Sequence, residues 1–364
     1  MIRTLEWKPD FQQTIERFEA WWHGEIIDRP PLAVRVKPTR SWDGPPEHGG
    51  CLAQRWLDVE YQLERAEAAM RQRDYPGDAF PALVPNVGPE LTATLLGCPL
   101  EFSEHTSWSR PVVHSFEEWN GIVGRPLDFD NPYWQAVERM THLALERSEG
   151  RYLVGVCDLH DNYDTMAALR DPMYLCLDIG DDPDRIAEVA KDLRRVFIEA
   201  FARLWRPIKA AGMGCTTWTS IYHEGPAYLP SCDFWCMVGP ELARDRILPD
   251  IRAEMAPLER SLFHLDGPDA LRHLNLLLDL PELDAVQWTY GAGNGPASRW
   301  MGTFRRILDA GKSVHITGEA DDLLKVLEAL GPEGLFLDVS EPFDGLAAAE
   351  TWITQVERCC GARA

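Results

Sequence analysis

Short apolar segments alternate with longer amphipathic ones from about residue 150 onward, and this alternation is the strongest constraint on the fold. Turn residues bound each short segment, and a helical pattern follows each one; the first such helix begins at Asp182 and Pro183 and stops at Gly212. The short segments are YLVGVCDLH (152–160), CDFWCMV (232–238), SLFHLDG (261–267), AVQWTYG (285–291), KSVHITG (312–318) and GLFLDVS (334–340). Because parallel strands need crossover connections, these units predict a parallel sheet.

Two further strands are predicted upstream, in PPLAVRV (30–36) and FPALVPNVG (80–88), with a helical pattern between them. With the six segments that follow, they make the eight strands of a closed (β/α)8 TIM barrel, which is the predicted fold. An open doubly wound sheet is the alternative, but no glycine-rich dinucleotide fingerprint follows the first strand.

The chain is predicted to form a single domain over residues 1–364. Two regions fall outside the repeat: an N-terminal helical arm (1–29), and an insertion after the second strand (97–150) that is rich in Trp, His and Pro. Insertions of this length usually cover or shape a site, so we expect this one to lie over the barrel mouth.

The charge of the chain bears on its partners. Thirty-six basic against 58 acidic residues leave a net charge of −22, which repels phosphate backbones and anionic lipid surfaces. No apolar run approaches the roughly 20 residues that a membrane-spanning helix needs. The nine cysteines are irregularly spaced and no secretory signal is visible, so we expect reduced thiols and a cytoplasmic protein.

Polar residues gather at the predicted carboxyl ends of the strands, where a barrel carries its active site. This pattern predicts a functional site, because burying so many ionisable groups is costly unless they are paired or used. The residues are Arg35, Asn86, Asp158, His160, Asp233, His264, Asp266, Trp288, Tyr290, His315, Thr317, Asp338 and Ser340. Trp218 falls in a predicted loop and adds an aromatic surface suited to a flat or apolar ligand.

FHLDG (263–267) places His264 and Asp266 two positions apart, so on a strand both side chains face the same side. Three interpretations remain open. The pair could bind zinc or another divalent metal with help from a neighbouring strand. It could instead act as acid, base or substrate anchor, or Asp266 could simply cap the next helix. Cys232 and Cys236 are expected to be core thiols, because a strand entering a turn would not bring them onto one ion.

The ordered motifs resemble the uroporphyrinogen decarboxylase superfamily, which contains porphyrinogen decarboxylases and corrinoid-dependent methyltransferases on a (β/α)8 barrel. The resemblance runs from about residue 25 to the C-terminus. It rests on DRPPLAVRV, PNVGPELTATLLGCPL, LVGVCDLHDNYDTMAALRD, CDFWCMVGPELARDRILPDI, FHLDG, SVHITG and GLFLDV.

The resemblance implies roles for particular residues. Decarboxylases of the superfamily carry arginines after the first strand that bind substrate carboxylates, and here Arg35 stands there; Asn86 occupies the position of an aspartate that faces the pyrrole nitrogens. Methyltransferases of the superfamily bind zinc through a histidine and two cysteines. His264 matches that histidine, whereas Asp266 replaces the first cysteine and no cysteine stands at the last strand end.

The leading expectation is therefore a methyltransferase-type reaction on a small or corrinoid-linked substrate. We expect His264, Asp266, Asp233 and Asp158 to be catalytic, with His264 and Asp266 as metal ligands if zinc or another divalent metal is bound. The expected substrate-binding residues are Arg35, Asn86, His160, Trp218, Trp288 and Tyr290. A carboxy-lyase that uses Arg35 on another substrate, and a non-catalytic barrel that binds a ligand or a corrinoid protein, are the alternatives. The resemblance also implies a homodimer.

Overall fold

The computed structural model describes residues 2–361, so residues 1 and 362–364 of the predicted single domain lie outside the described residues. The strands are β1 (Leu32–Ala33), β2 (Ala82–Leu83), β3 (Leu100–Phe102), β4 (Ser107–Ser109), β5 (Leu153–Val154), β6 (Ala227–Tyr228), β7 (Arg260–Asp266), β8 (Ala285–Thr289), β9 (Ser313–Gly318) and β10 (Leu335–Val339).

Helices cover most of the remaining chain. They are α1 (Phe11–Trp22), α2 (Leu52–Leu57), α3 (Val59–Arg71), α4 (Leu91–Thr94), α5 (Pro132–Ser148), α6 (Asn162–Arg170), α7 (Pro172–Asp181), α8 (Pro183–Ala210), α9 (Pro240–Leu242), α10 (Leu248–Met255), α11 (Leu274–Leu278), α12 (Met301–Asp309), α13 (Ala320–Leu330) and α14 (Leu346–Gly361). The predicted start of α8 is confirmed, since Asp182 caps it by accepting from the Arg185 backbone N–H. Among residues 2–361, none of these helices is long and apolar enough to cross a bilayer.

A six-stranded parallel sheet, in the order β1-β10-β9-β8-β7-β6, forms the centre of the molecule. Strands β2 and β5 form a separate parallel pair, and β3 and β4 form an antiparallel hairpin. Within residues 2–361 no strand ladder joins the parallel pair to the larger sheet. Single backbone bonds lie at the two gaps: Asp78 N donates to Leu32 O at 2.8 Å, and Val156 N donates to Thr216 O at 2.9 Å. The structure thus has a mixed α/β architecture around a parallel sheet.

Seven of the eight predicted strand segments contain a strand, but the prediction for 232–238 is wrong. That segment contains a 3-10 helix, Phe234–Met237, and the strand lies earlier, at Ala227–Tyr228. The physical reason is a distant carboxylate: Asp164 accepts backbone N–H groups of Asp233 at 2.9 Å and Phe234 at 2.8 Å. This bidentate acceptance holds the chain in a turn, although its apolar residues suit a strand.

The N-terminal arm packs as a helix against the amino-terminal ends of the strands. Trp21 on α1 is fully buried, and its indole N–H donates to Gly334 O, just before β10, at 3.0 Å. Ser313, the first residue of β9, donates from Oγ to Trp21 O at 2.5 Å. The rings of Phe18 and Phe336 meet edge to face, with centroids 5.1 Å apart. The arm therefore closes the end of the sheet opposite the predicted site.

The predicted insertion (97–150) has two parts. Its first part includes the β3–β4 hairpin, which brings Trp108 and Ser109 to a cavity at the carboxyl end of the sheet. Its last part is α5, which packs against β5 as a crossover helix would. The first part thus contributes to a cavity at the carboxyl end of the sheet.

Candidate functional site

Asp233, His264 and Asp266 form a cluster at the carboxyl end of β7, which we call the outer cluster. Each offers one ligand atom, and these atoms all lie within 4.8 Å of one another. His264 and Asp266 share one face of β7 because they are two residues apart. Asp233 is brought to them because the chain after β6 pairs with β7: His264 N donates to Pro230 O at 2.9 Å. Sequence reasoning anticipated all three residues.

The outer cluster is open to solvent on its carboxylate side. Asp233 and Asp266 are exposed, whereas His264 is half-buried. Burial of the carboxyl group raises the pKa of Asp266, and the neighbouring His264 opposes that rise. Burial also raises the pKa of Asp158, against the opposing effects of His160 and His264. Asp158 therefore lies within electrostatic reach of the outer cluster.

A line of hydrogen-bonding side chains runs from His264 across neighbouring strands, and we call it the polar chain. His264 on β7, Gln287 on β8 and His315 on β9 are direct partners in the strand register. His264 Nδ1 contacts Gln287 Oε1, and Gln287 Nε2 lies 2.9 Å from His315 Nδ1. His315 Nε2 lies 3.4 Å from Asp338 Oδ2 on β10, and Arg35 Nη1 lies 2.8 Å from Asp338 Oδ1.

The direction of the polar chain assigns the histidine tautomers. His315 Nε2 makes no hydrogen bond, but the Asp338 carboxylate 3.4 Å away favours a proton on this nitrogen, so a neutral His315 carries its proton on Nε2 and accepts at Nδ1. The amide nitrogen of Gln287 then donates to His315, which leaves its oxygen to accept from His264 Nδ1–H. His264 consequently keeps a lone pair on Nε2, which is the form that binds a metal ion or a proton.

Gln287 is a functional candidate that sequence reasoning missed. The available signal was a single polar residue inside the apolar strand AVQWT, where it is buried with 6% of its surface exposed. The neighbouring Trp288 points to the opposite face of β8, where it is buried and packs edge to face on Trp300, with centroids 5.1 Å apart. Trp288, which was expected to bind substrate, thus lies in the packed layer between strand and helix.

A cavity of about 680 Å³ lies beside the outer cluster and is lined by Asn86, Asp158 and Trp218, among others. Trp218 is 40% exposed, and its ring meets the His264 imidazole edge to face at 5.3 Å. The side chain of Asn86 already has a partner in its own loop, because its Oδ1 accepts a hydrogen bond from Gly88 N at 2.7 Å. Of the expected substrate residues in this cavity, Trp218 is the one in contact with the outer cluster.

A second cavity, of about 430 Å³, contains His160 and Asp233 together with Glu90 and Asp164, which sequence reasoning did not select. Although burial lowers the pKa of His160, the surrounding Asp158, Asp164, Glu90 and Asp233 raise it to about 9. Burial raises the pKa of Asp164 to about 6, with His160 opposing that rise. Burial likewise raises the pKa of Glu90, whose Oε2 accepts from Ser109 Oγ at 3.3 Å. His160 is therefore a cation near neutral pH, held among acids.

Arg35 and Tyr290 do not line either of these two cavities. Arg35 donates to Val339 O at 2.6 Å and to Asp338 Oδ2 at 3.3 Å, so its charge is neutralised. Tyr290 is half-buried and donates its hydroxyl proton to Thr317 O at 3.1 Å. Both residues lie at the same end of the sheet as the outer cluster, but their polar groups already form hydrogen bonds within the chain.

The outer cluster fits a divalent cation. It offers one imidazole nitrogen with a free lone pair and carboxylate oxygens from two aspartates, which are acceptable ligands for zinc and for harder divalent metals. Gln287 supplies the second hydrogen bond that usually orients a metal-binding histidine. The donor set contains no thiolate, so it selects zinc less strongly than a cysteine-containing site does.

Comparison with known proteins shows the fold. No protein-family model and no curated protein sequence matches the chain. A methyltransferase from Methanosarcina mazei has a similar structure, with a TM-score of 0.63, 10% identity, and coverage of 95% of this chain and 98% of that one. A B12-independent methionine synthase from Shewanella sp. W3-18-1, solved with selenomethionine, matches more weakly, with a TM-score of 0.44, 10% identity and coverage of 92% and 97%. The chain therefore has the fold of the Methanosarcina mazei methyltransferase over nearly its whole length.

Proposed function

We propose that the protein is a cytoplasmic (β/α)8 barrel enzyme of the uroporphyrinogen decarboxylase type that carries out a methyl transfer on a small or corrinoid-linked substrate. The observation that carries the proposal is the outer cluster, in which Asp233, His264 and Asp266 converge beside two cavities at the carboxyl end of the sheet. The shared fold with a methyltransferase supports the same reaction class.

Each residue in and around the outer cluster has a role in the proposed reaction. His264, Asp233 and Asp266 would hold a divalent cation, which when bound would lower the pKa of a methyl-accepting thiol or hydroxyl. Gln287 holds the His264 ring with Nε2 free. Trp218 covers one side of that ring and offers an aromatic surface to the substrate. His160, being protonated near neutral pH, would attract an anionic group into the 430 Å³ cavity.

Exposed apolar side chains at the same mouth favour a partner that presents the methyl group. Met237 lines the 430 Å³ cavity and is 50% exposed. Pro172, which also lines that cavity, begins α7, on which Met173 and Leu177 are exposed. A corrinoid protein that docks on this rim would place its cofactor over the outer cluster.

The carboxy-lyase alternative has less support. That hypothesis requires Arg35 to hold a substrate carboxylate, but Asp338 already neutralises the Arg35 guanidinium. A substrate carboxylate would have to displace a carboxylate that is nearly buried within the protein. His160 is the cation that remains available for an anionic group.

The test combines metal binding with methyl transfer. The full chain is freed of metal, titrated with Zn²⁺ by calorimetry, and then incubated with methylcobalamin and simple thiols while cobalamin absorbance is followed. We expect His264→Ala and Asp266→Ala to lose zinc binding at the outer cluster and thiol-dependent demethylation. Asp269→Ala is the matched control, because Asp269 is an exposed acid in the same loop.

The outcomes separate the hypotheses. Loss of both properties in the two cluster variants, with Asp269→Ala unchanged, supports the proposal. Zinc binding without demethylation under any thiol would favour a non-catalytic binding barrel. A zinc stoichiometry in His264→Ala equal to that of wild type would remove the outer cluster as a metal site.

A further inference from the structure

A second group of ligand-type side chains lies deeper in the protein. Asp161, Asp164 and Cys232, which we call the inner cluster, have ligand atoms within 4.8 Å of one another. All three are buried, with 1%, 6% and 1% of their surfaces exposed. Asp161 caps α6 and Asp164 lies in its first turn, while Cys232 follows β6. The cluster thus joins the ends of two neighbouring strand segments.

Two buried carboxylate oxygens in and beside this cluster have no hydrogen-bond partner, which indicates that a ligand binds there. Asp161 Oδ1 accepts from Asp164 N at 2.7 Å, but Asp161 Oδ2 is buried and has no hydrogen-bond partner. Glu254 on α10 is fully buried; its Oε1 accepts from Asn162 N at 3.1 Å, which places this carboxylate beside Asp161, and its Oε2 also has no partner. A buried carboxylate oxygen without a donor is costly, so a ligand that accepts its lone pairs would stabilise the fold.

The charges of the inner cluster are not balanced by basic side chains. Within the described part of the chain, no Arg or Lys forms an ion pair with Asp161, Asp164 or Glu254, although the nearby Asp250 contacts Arg194. His160 is the neighbouring cation, and it is shared with Asp158, Glu90 and Asp233. Buried charges of this kind are normally paired or coordinate a metal.

The donor set of the inner cluster is chemically different from that of the outer cluster. It contains a thiol, and a thiolate with carboxylate oxygens suits zinc and other borderline cations better than Mg²⁺ or Ca²⁺. A bound cation would take Cys232 as its thiolate, since a coordinating thiol is deprotonated. Each Asp164 oxygen accepts one backbone N–H and retains a second lone pair. Asp164 also lines the 430 Å³ cavity, which gives an ion a route inward.

We propose that Asp161, Asp164 and Cys232 bind a divalent transition-metal cation, with zinc the best fit, at a site separate from the outer cluster. A water molecule completes the coordination. Because Asp164 also holds the turn that carries Asp233, the inner ion stabilises that turn and so positions one member of the outer cluster. The proposal does not depend on the reaction proposed above.

Cobalt substitution tests the inner cluster directly, because only a thiolate ligand gives a sulfur-to-cobalt charge-transfer band in the near ultraviolet. The metal-free full chain is titrated with Co²⁺ as wild type, Cys232→Ser, His264→Ala and Cys236→Ser. We expect the band in wild type, in His264→Ala and in Cys236→Ser, which removes a half-buried thiol four residues away. We expect no band in Cys232→Ser.

Asp161→Asn provides a second test that keeps the fold. Asparagine can still cap α6 through its side-chain oxygen, while the carboxylate charge is lost. We expect at least a tenfold weaker Co²⁺ affinity for the species that gives the band, with unchanged far-ultraviolet circular dichroism. A band absent from folded wild type, or retained in Cys232→Ser, would overturn the proposal.

Discussion

Replacing Gln287 with leucine removes the central member of the polar chain while keeping a side chain of similar size in a buried position. In the structure Gln287 accepts from His264 Nδ1–H and donates to His315 Nδ1 at 2.9 Å. Leucine can do neither, so the His264 ring loses the bond that fixes its tautomer and orientation. Gln287→Leu therefore tests whether the metal affinity of the outer cluster depends on this positioning.

The expected magnitude has two parts. Loss of the second hydrogen bond of a metal-binding histidine typically lowers metal affinity about 10- to 100-fold, or about 1.4–2.8 kcal/mol. In addition, the buried His315 Nδ1 is left without its Gln287 partner, which costs about 1–3 kcal/mol of unfolding free energy. Calorimetric titration with Zn²⁺ measures the first effect, and urea unfolding of the metal-free protein measures the second.

Gln287→Glu is the conservative control. A glutamate keeps an oxygen that accepts from His264 Nδ1–H, so we expect zinc affinity within a factor of three of wild type. It cannot donate to His315 unless it is protonated, so the stability cost should remain. If Gln287→Leu is folded and binds Zn²⁺ as tightly as wild type, the positioning argument is refuted.

Three further predictions follow from the packing and the charges. The pKa of His160 is raised in the folded protein, so protonated His160 should stabilise the fold fully below about pH 6.5, and this stabilisation should be lost as pH rises through about 9. Urea unfolding of the metal-free protein should show a fall in unfolding free energy on the order of 1–3 kcal/mol over this pH range. His160→Asn should remove most of that fall. Trp288→Ala should cost about 3–5 kcal/mol of unfolding free energy, because the ring is buried against Trp300; the exposed Trp218 truncated in the same way should cost much less, and the reverse order would contradict the burial argument. Trp21→Ala should cost a similar 3–5 kcal/mol by detaching the arm from β9 and β10, whereas Ile27→Ala, at an exposed position, should leave the denaturation midpoint unchanged.

The order of strands was readable from the sequence because it depends on local patterns. Runs such as SLFHLDG and KSVHITG carry their turn residues with them, and the crossover rule then makes them parallel. The strand prediction for segment 232–238 failed because the conformation of this segment depends on Asp164, which lies 69 residues away from Asp233 in the chain. A pattern within seven residues holds no information about such a contact.

The candidate site was readable only in part for the same reason. His264 and Asp266 are two apart on one strand, so period-two geometry was enough to place them together. Without the strand register, the sequence could not tell which of Gln287 and Trp288 belongs to the site and which to the core. The register puts Gln287 opposite His264, and Trp288 packs on Trp300. The inner cluster was hidden because Asp161 resembles an ordinary helix cap and Cys232 an ordinary core thiol.

The polar chain has two opposite orientations that differ only in which end of the Gln287 amide faces which histidine. Asp338, held by Arg35, places a negative charge 3.4 Å from His315 Nε2 and so favours one orientation for the two Gln287 bonds that lead to His264. A carboxylate on β10 therefore decides which nitrogen of an imidazole three strands away, on β7, is free to bind a ligand. Asp338→Asn would leave both orientations available, and His264 would then exist as a mixture of two tautomers, although nothing within its own surroundings had changed.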